Sequence, residues 1–357
     1  MEKILVINPG STSTKIAVFE DEKKVLNLTI RHPDEDLAAF SWVMEQVDYR
    51  AQLIQDALEA QGFDMGALTC VMARGGQLPP VPSGAFPVNQ DMVEYLYTVK
   101  EGAHVSNIGA VIAHRFAKEL SIPAYVYDPV AVDELAPIAR ISGMPECPRE
   151  SRGHALNTHA MAHRCAKEIL HKPVSECTFI VCHLGGGCST WLIHQGLSID
   201  MVSDDDAGFC PERCGRVQAM PLVKLCYSGK YTFMEMAKKI RGNAGLKALL
   251  GTSDAREVEA RIAAGDEYAQ QVYEAFAYST AKGIGELATV VKGKVDRIIL
   301  TGGVAYSKMI ADWIKEYVGW IAPVEVMAGE YEMEALAEGG LRVLRGEEQP
   351  HEFVWQK

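Results

Sequence analysis

Ile4-Leu5-Val6-Ile7-Asn8-Pro9-Gly10-Ser11-Thr12-Ser13 reads as an apolar strand running into a turn of small and hydroxyl-bearing residues, with a second apolar run over residues 15–19. The pattern returns in the second half of the chain as Phe179-Ile180-Val181-Cys182-His183-Leu184-Gly185-Gly186-Gly187-Cys188-Ser189-Thr190. Two halves that each open with a strand, a tight loop and a strand suggest a duplicated fold with a cleft between the copies. Hairpins of this composition are common, so the echo gains its weight from what surrounds it.

Working outward, strands and helices interleave. Residues 34–61 read as helix in two pieces, and residues 70–73 as a short buried strand entering Arg74-Gly75-Gly76. Ile108, Ile112, Phe116 and Leu120 stand at helical spacing behind Ser106, a residue suited to an N-cap. Residues 124–127 form a strand that runs into Asp128-Pro129. Residues 137–148 carry several Pro and Gly and little periodicity, which places a domain boundary near residue 150. Beyond it the pattern predicts a helix over 155–170, strands over 178–183 and 189–194, and a Gly- and Asp-rich loop around 203–216. A long helix near 266–291, a strand over 297–301 leading into Gly302-Gly303, and a closing helix over 332–345 complete the chain. The class is α/β in two domains, 1–150 and 151–331, with the segment 332–357 packing back on the first.

The bulk properties agree. A chain of 357 residues exceeds one compact core and suits two domains. With 48% apolar and 23% charged residues, it has the balance of a water-soluble globular protein. No apolar run is long enough to span a bilayer, and Ile4-Leu5-Val6-Ile7 is too short for a signal-peptide core. The expected location is the cytoplasm, with no membrane partner. A formal net charge of −12 argues against a nucleic-acid partner, so any phosphate-binding field is local. Among nine cysteines, Cys70, Cys165, Cys177, Cys182 and Cys226 have apolar neighbours and read as buried reduced thiols. Cys210 and Cys214 lack a second pair at metal-ligand spacing and read as free thiols rather than a zinc site. His159 and His163 stand four apart, but Ala160 sits where a zinc protease needs Glu, so they read as surface or packing residues.

Three loops suit phosphate. Gly10 permits close backbone approach, and Ser11, Thr12, Ser13 and Thr14 supply hydroxyls. By itself that segment reads equally well as a plain hairpin turn. His183 with Gly185, Gly186 and Gly187 offers similar chemistry, and Thr301-Gly302-Gly303 stands between a strand and a predicted helix N-terminus. There is neither a Gly-x4-Gly-Lys-Ser/Thr segment nor a Gly-x-Gly-x-x-Gly dinucleotide turn, so phosphate binding here uses hairpins. Arg74 follows a buried strand and offers the planar fork of donors that a carboxylate asks for; a surface Arg at a strand end is its bland reading. Asp128 suits substrate alignment or a metal held through water, or simply caps. His154 precedes a helix, and Arg213 lies in Pro211-Glu212-Arg213-Cys214-Gly215.

In order along the chain come Asn8-Pro9-Gly10-Ser11-Thr12-Ser13-Thr14-Lys15, Arg74-Gly75-Gly76, His154-Ala155-Leu156-Asn157, His183-Leu184-Gly185-Gly186-Gly187, Pro211-Glu212-Arg213 and Thr301-Gly302-Gly303. This ordered set resembles the acetate and butyrate kinase family, on its butyrate kinase branch, over essentially the whole chain. Gly329-Glu330-Tyr331-Glu332-Met333-Glu334-Ala335-Leu336-Ala337 is similar to that branch as well. The resemblance implies the duplicated fold of actin, sugar kinases and heat-shock ATPases, with ATP in an interdomain cleft, and a homodimer or larger homo-oligomer. It implies reversible phosphoryl transfer from Mg²⁺-bound ATP to butanoate, giving an acyl phosphate and ADP. A related kinase of acetate, propionate or isobutyrate, or a non-catalytic ATP-binding protein, stands as the alternative. Under the resemblance, Arg74 and Arg213 grip the carboxylate and the phosphoryl group, Asp128 positions substrate or Mg²⁺, and His154 stabilises the transition state. Asn8, Gly10, Ser11, Thr12 and Ser13 lie near phosphate and metal, and His183, Gly185, Gly186 and Gly187 bind ATP phosphates. Thr301, Gly302 and Gly303 contact the adenosine side, and Glu332 assists the metal, with Glu334 close by. Two departures from the family pattern, Arg152-Gly153 before His154 and Cys214-Gly215-Arg216-Val217 after Arg213, add positive charge beside the expected site.

Overall fold

In the computed structural model, residues 1–100, 103–203 and 205–355 are described. The chain forms two compact units, one of residues 1–133 with the tail from Tyr331 onward, the other of residues 134–330.

The first unit holds a sheet of β1 (Lys3–Pro9), β2 (Ser13–Glu20), β3 (Lys23–Arg31), β4 (Cys70–Arg74), β5 (Ala85–Pro87) and β6 (Ala124–Tyr127), in the order β3-β2-β1-β4-β6-β5. β1, β2 and β3 form an antiparallel meander, with Asn8 opposite Lys15, while β4 and β6 add in parallel on the other side of β1. The second unit holds β7 (Thr178–Leu184), β8 (Cys188–His194), β9 (Leu197–Val202), β10 (Arg297–Thr301) and β11 (Val324–Val326), in the order β11-β10-β7-β8-β9. The same rule holds there: an antiparallel meander from β7 to β9, then β10 and β11 parallel beyond β7. The two sheets therefore share one topology, and the antiparallel edge strand β5 is the addition in the first. The echo read in the sequence is a duplication of fold.

Strands at the centre of each sheet are covered on both faces and so carry unbroken apolar runs. Leu5, Ile7, Val71 and Ala73 belong to a core shared with the helices Val47–Ala60 and Ser106–Leu120. Side chains alternate along a strand, so Ile4 and Met72 face the other way, where they meet Gly340 of helix Glu332–Leu344. In the second unit Ile180, Cys182, Ile298 and Leu300 pack with residues of helices Glu267–Val290 and Lys308–Val318. β3 and β9, which the sequence reading lacks, are half-exposed strands without a continuous apolar run.

Several expectations are corrected. The boundary falls at Asp133/Glu134 rather than near residue 150. Residues 134–149 are irregular but bonded to the second unit: Ser198 N donates to Glu134 Oε2 (2.8 Å), Ala136 N to Ile199 O (2.8 Å), and Arg149 pairs with Asp200 (3.0 Å). Pro and Gly there mark irregular backbone, not a linker. Ser106 is the first residue of its helix and Val105 occupies the cap position; the Ser106 hydroxyl bonds His104 Nδ1 at 2.9 Å. Cys226 is exposed, because helix Ala219–Cys226 buries none of its residues. Cys70, Cys165, Cys177 and Cys182 are buried, and Cys210 and Cys214 are free thiols. His159 packs in the interior, its Nε2 bonded to the Ser198 hydroxyl. Residue 204 of the predicted loop and residues 356–357 of the predicted tail lie outside the described residues. Among the described residues no helix is long and apolar enough to cross a membrane.

Candidate active site

In the first unit three of the expected residues meet. β1 ends at Asn8-Pro9, β4 ends at Arg74, and helix Glu332–Leu344 begins at Glu332. Asn8 Nδ2 donates to Glu332 Oε2 at 2.7 Å, and Arg74 Nη1 donates to the same oxygen at 3.3 Å. Asn8 is buried, and the Arg74 side chain keeps 24% of its surface. Arg74 is thus a strand-end guanidinium held by an acid, not a solvated surface Arg. Glu334, two residues on, pairs instead with Lys24.

The glycines after Arg74 are required by close packing. A Cβ on Gly75 would stand 2.6 Å from Pro129 Cβ, and one on Gly76 would strike the Asn107 side chain. Asp128, the residue before Pro129, directly follows β6 and lies in the left-handed region with φ 41°, a conformation Asp tolerates better than most residues. It is buried, and its Oδ1 accepts from Gly84 N at 2.8 Å. Such strain at a strand end is a mark of functional sites. The Gly10-Ser11-Thr12 turn closes with Gly10 N donating to Ser13 O at 2.7 Å. Two residues outside the sequence-derived set, Arg50 and His32, lie against it.

In the second unit the expected residues form a chain of contacts. His183 at the end of β7 pairs across to Thr301 on β10 and to Ser189 on β8. The rings of His154 and His183 stack, with centroids 3.9 Å apart and planes 10° from parallel. His154 Nδ1 bonds the Ser189 hydroxyl at 2.9 Å. Asn157 joins the other end, its Nδ2 3.2 Å from His183 Nδ1 and its Oδ1 accepting from the Thr301 hydroxyl at 3.2 Å. Asn157 and Ser189 stand within the sequence motifs, which by themselves assign them no role. Asn157 was legible, standing three residues after His154 and so on the same helix face; Ser189 needed the strand register.

Arg213 lies against the glycine loop, where a Cβ on Gly187 would stand 2.5 Å from its Cζ. Burial and the neighbouring Arg241 push the Arg213 pKa down from the usual guanidinium range. Glu212 N donates to Gly186 O at 3.1 Å, tying this loop to the Arg213 loop. Gly302 has φ 87°, and a Cβ there would collide with Leu184 O. The expectation of a helix N-terminus at Gly302-Gly303 is corrected: those residues lead a short 3₁₀ turn, Gly302 N donates to Gly329 O at 3.0 Å, and the helix begins at Lys308 behind the cap of Ser307. The two departing arginines are exposed and locally paired, Arg152 with Glu150 (2.5 Å) and Arg216 with Glu286 (2.9 Å).

The Acetokinase family model matches residues 152–318. Over 351 residues the chain is 50% identical to probable butyrate kinase 2 of Caldanaerobacter subterraneus subsp. tengcongensis, covering 98% of this chain and 99% of the relative. Over 355 residues it is 45% identical to butyrate kinase 1 of Clostridium acetobutylicum, covering 99% and 100%. Among solved structures it resembles acetate kinase of Porphyromonas gingivalis with TM-score 0.78 at 17% identity, covering 96% and 100%. That likeness, with the repeated sheet order, gives the fold as the duplicated actin-like ATPase fold. Because both curated relatives align from end to end at about half identity, the chain belongs to the Acetokinase family.

Proposed function

We propose that this chain catalyses the butyrate kinase reaction, reversible transfer of the γ-phosphoryl group of ATP to butanoate, giving butanoyl phosphate and ADP. The observation that carries the reading is the meeting of Asn8, Arg74 and Glu332 on one carboxylate oxygen. It sets a guanidinium, an amide and an acid together at the ends of neighbouring strands β1 and β4. The names of the two relatives support butanoate as the acid.

A butanoate oxygen attacks the γ-phosphorus in line, and the bond from phosphorus to the β,γ-bridging oxygen breaks to release ADP. The carboxylate is already ionised at neutral pH, so no proton has to move. Catalysis is then positioning and neutralisation of charge. Arg74 takes the carboxylate with its planar fork, and Arg213 takes the phosphoryl group in flight. His154, fixed by Ser189 and by stacking on His183, donates to the transferring oxygens. Gly10, Ser11, Thr12 and Ser13, and His183 with Gly185, Gly186 and Gly187, receive the nucleotide phosphates. Thr301, Gly302 and Gly303 receive the adenosine side.

The donors available for a metal are oxygens, from Asn8, Asp128 and Glu332. Among the described residues no three His, Cys, Asp or Glu side chains form a cage. That set suits Mg²⁺, which keeps most of its waters and is held by one or two carboxylates together with phosphate. When bound, the ion supplies neutralisation of the phosphate charge. A cytoplasmic setting and a homodimer or larger homo-oligomer belong to the same reading; sedimentation of the purified protein checks the assembly.

A hydroxamate assay with Mg·ATP and hydroxylamine across formate, acetate, propionate, butanoate, isobutyrate and valerate tests the reaction. The expected result is a maximum at butanoate with activity on its neighbours, since one methylene in an apolar pocket is worth only about 1–3 kcal/mol. A maximum at acetate would keep the chemistry and change the substrate. No hydroxamate from folded protein that binds ATP would reduce the chain to a nucleotide-binding protein.

A further inference from the structure

Arg50 sits on helix Val47–Ala60 with no exposed surface, and its guanidinium is spent on the turn between β1 and β2. Nη1 donates to Gly10 O (2.8 Å), Ser13 O (3.3 Å) and Thr14 Oγ1 (3.1 Å), and Nη2 to Ser11 O (3.0 Å). Gln46 Oε1 aligns the group by accepting from Nε at 3.0 Å and Nη2 at 2.8 Å. The one carbonyl of the turn that Arg50 does not reach, Thr12 O, accepts from His32 N at 2.9 Å. All four carbonyls from Gly10 to Ser13 are therefore directed at donors inside the protein. In a trans peptide the C=O and the following N–H point in opposite directions. Turning the carbonyls of Gly10, Ser11 and Thr12 inward thus turns the amides of Ser11, Thr12 and Ser13 outward.

The acceptors of these Arg50 bonds are carbonyl, hydroxyl and amide oxygens, not a carboxylate. Burial lowers its pKa to about 10, which leaves it charged at neutral pH. A buried cation compensated only by dipoles is costly, and an anion across the turn offsets that cost.

We infer that Arg50 is the positioning residue of the phosphate loop: it aims the amides of Ser11, Thr12 and Ser13 outward and adds buried positive charge to the field they present to nucleotide phosphates. The identity of the ligand rests on the kinase reading above; the geometry of the turn does not.

The test is ADP and adenosine affinity by calorimetric titration for wild type, Arg50→Lys, Arg50→Met and Gln46→Leu, with KM for ATP and butanoate alongside. ADP affinity should fall about tenfold in Arg50→Lys and further in Arg50→Met, while adenosine affinity holds. Gln46→Leu leaves Arg50 in place but unaligned, and should weaken ADP severalfold at a nearly unchanged melting temperature, so it decides if the Arg50 variants do not fold. In active protein KM should rise for ATP and not for butanoate. Folded variants that bind ADP as wild type does, or lose ADP and adenosine equally, overturn the inference. A wild type that makes no acyl phosphate yet binds ADP through Arg50 overturns the kinase reading and leaves this one standing.

Discussion

Glu332 holds Asn8 and Arg74 on a single oxygen, so its charge fixes the aim of Arg74; under the proposed function it also assists Mg²⁺. Glu332→Gln keeps the shape and removes the charge. The half-saturating Mg²⁺ concentration should rise about tenfold, the usual scale for groups that support a metal, with little loss of melting temperature. Arg74→Ala and Arg213→Ala should each lower kcat/KM by about 10²–10³-fold, as loss of a preorganised donor does, and steady-state kinetics at near-normal values would remove them from the mechanism. His32 offers a stability test. Its Nε2 bonds the Thr14 hydroxyl at 2.8 Å, its Nδ1 is buried with no partner among the described residues, and burial followed by the charge of Arg50 lowers its pKa to about 4. Above pH 6.5 the ring is neutral folded and unfolded, so it makes no pH-dependent contribution. Between pH 6.5 and 4 the unfolded chain takes a proton that the folded one refuses, so stability falls as pH falls and levels below 4. The urea midpoint of His32→Gln should depend less on pH than wild type across that window.

At the scale of elements, the glycine positions separate conformational need from functional approach. Gly302→Ala places a Cβ against Leu184 O at φ 87°, backbone against backbone, and should cost about 2–4 kcal/mol by urea denaturation. Gly187→Ala meets the Arg213 guanidinium first, a side-chain end rather than backbone. Stability should hold, while kcat/KM falls about 10–10²-fold as the guanidinium is displaced. The strand ends that lead into Asp128 and Gly302 are legible in sequence: Ala124–Tyr127 and Arg297–Thr301 stand where their apolar runs predict. β3 and β9 were not, because an edge strand with one wet face has no continuous apolar run. Arg50 leaves a trace in the sequence as well. It falls in the stripe Val47, Arg50, Ala51, Ile54, Leu58, all buried, and a cation on the apolar stripe of a helix announces an interior polar partner.

For the whole molecule, the first unit is discontinuous in sequence and the second is not. The tail buries Leu336, Leu341 and Phe353, each worth about 1.5–3 kcal/mol, a sum comparable with the stability of an ordinary domain. Residues 134–330 expressed alone should therefore unfold cooperatively in urea, and residues 1–133 alone should not; cooperative unfolding of the latter would show the tail to be dispensable. By itself the sequence determined the α/β class and the residues at several strand ends, because apolar periodicity and small-residue turns are local properties of the chain; it suggested the duplication, which the repeated strand order then showed. Only the tertiary structure decided that Glu332 closes on Asn8 and Arg74, that Asn157 joins His183 to Thr301, and that Arg50 lies beneath the turn from Gly10 to Ser13. Those contacts join residues tens to hundreds of positions apart, and a pairing across such distances is set by packing against the whole core rather than by any neighbour in sequence.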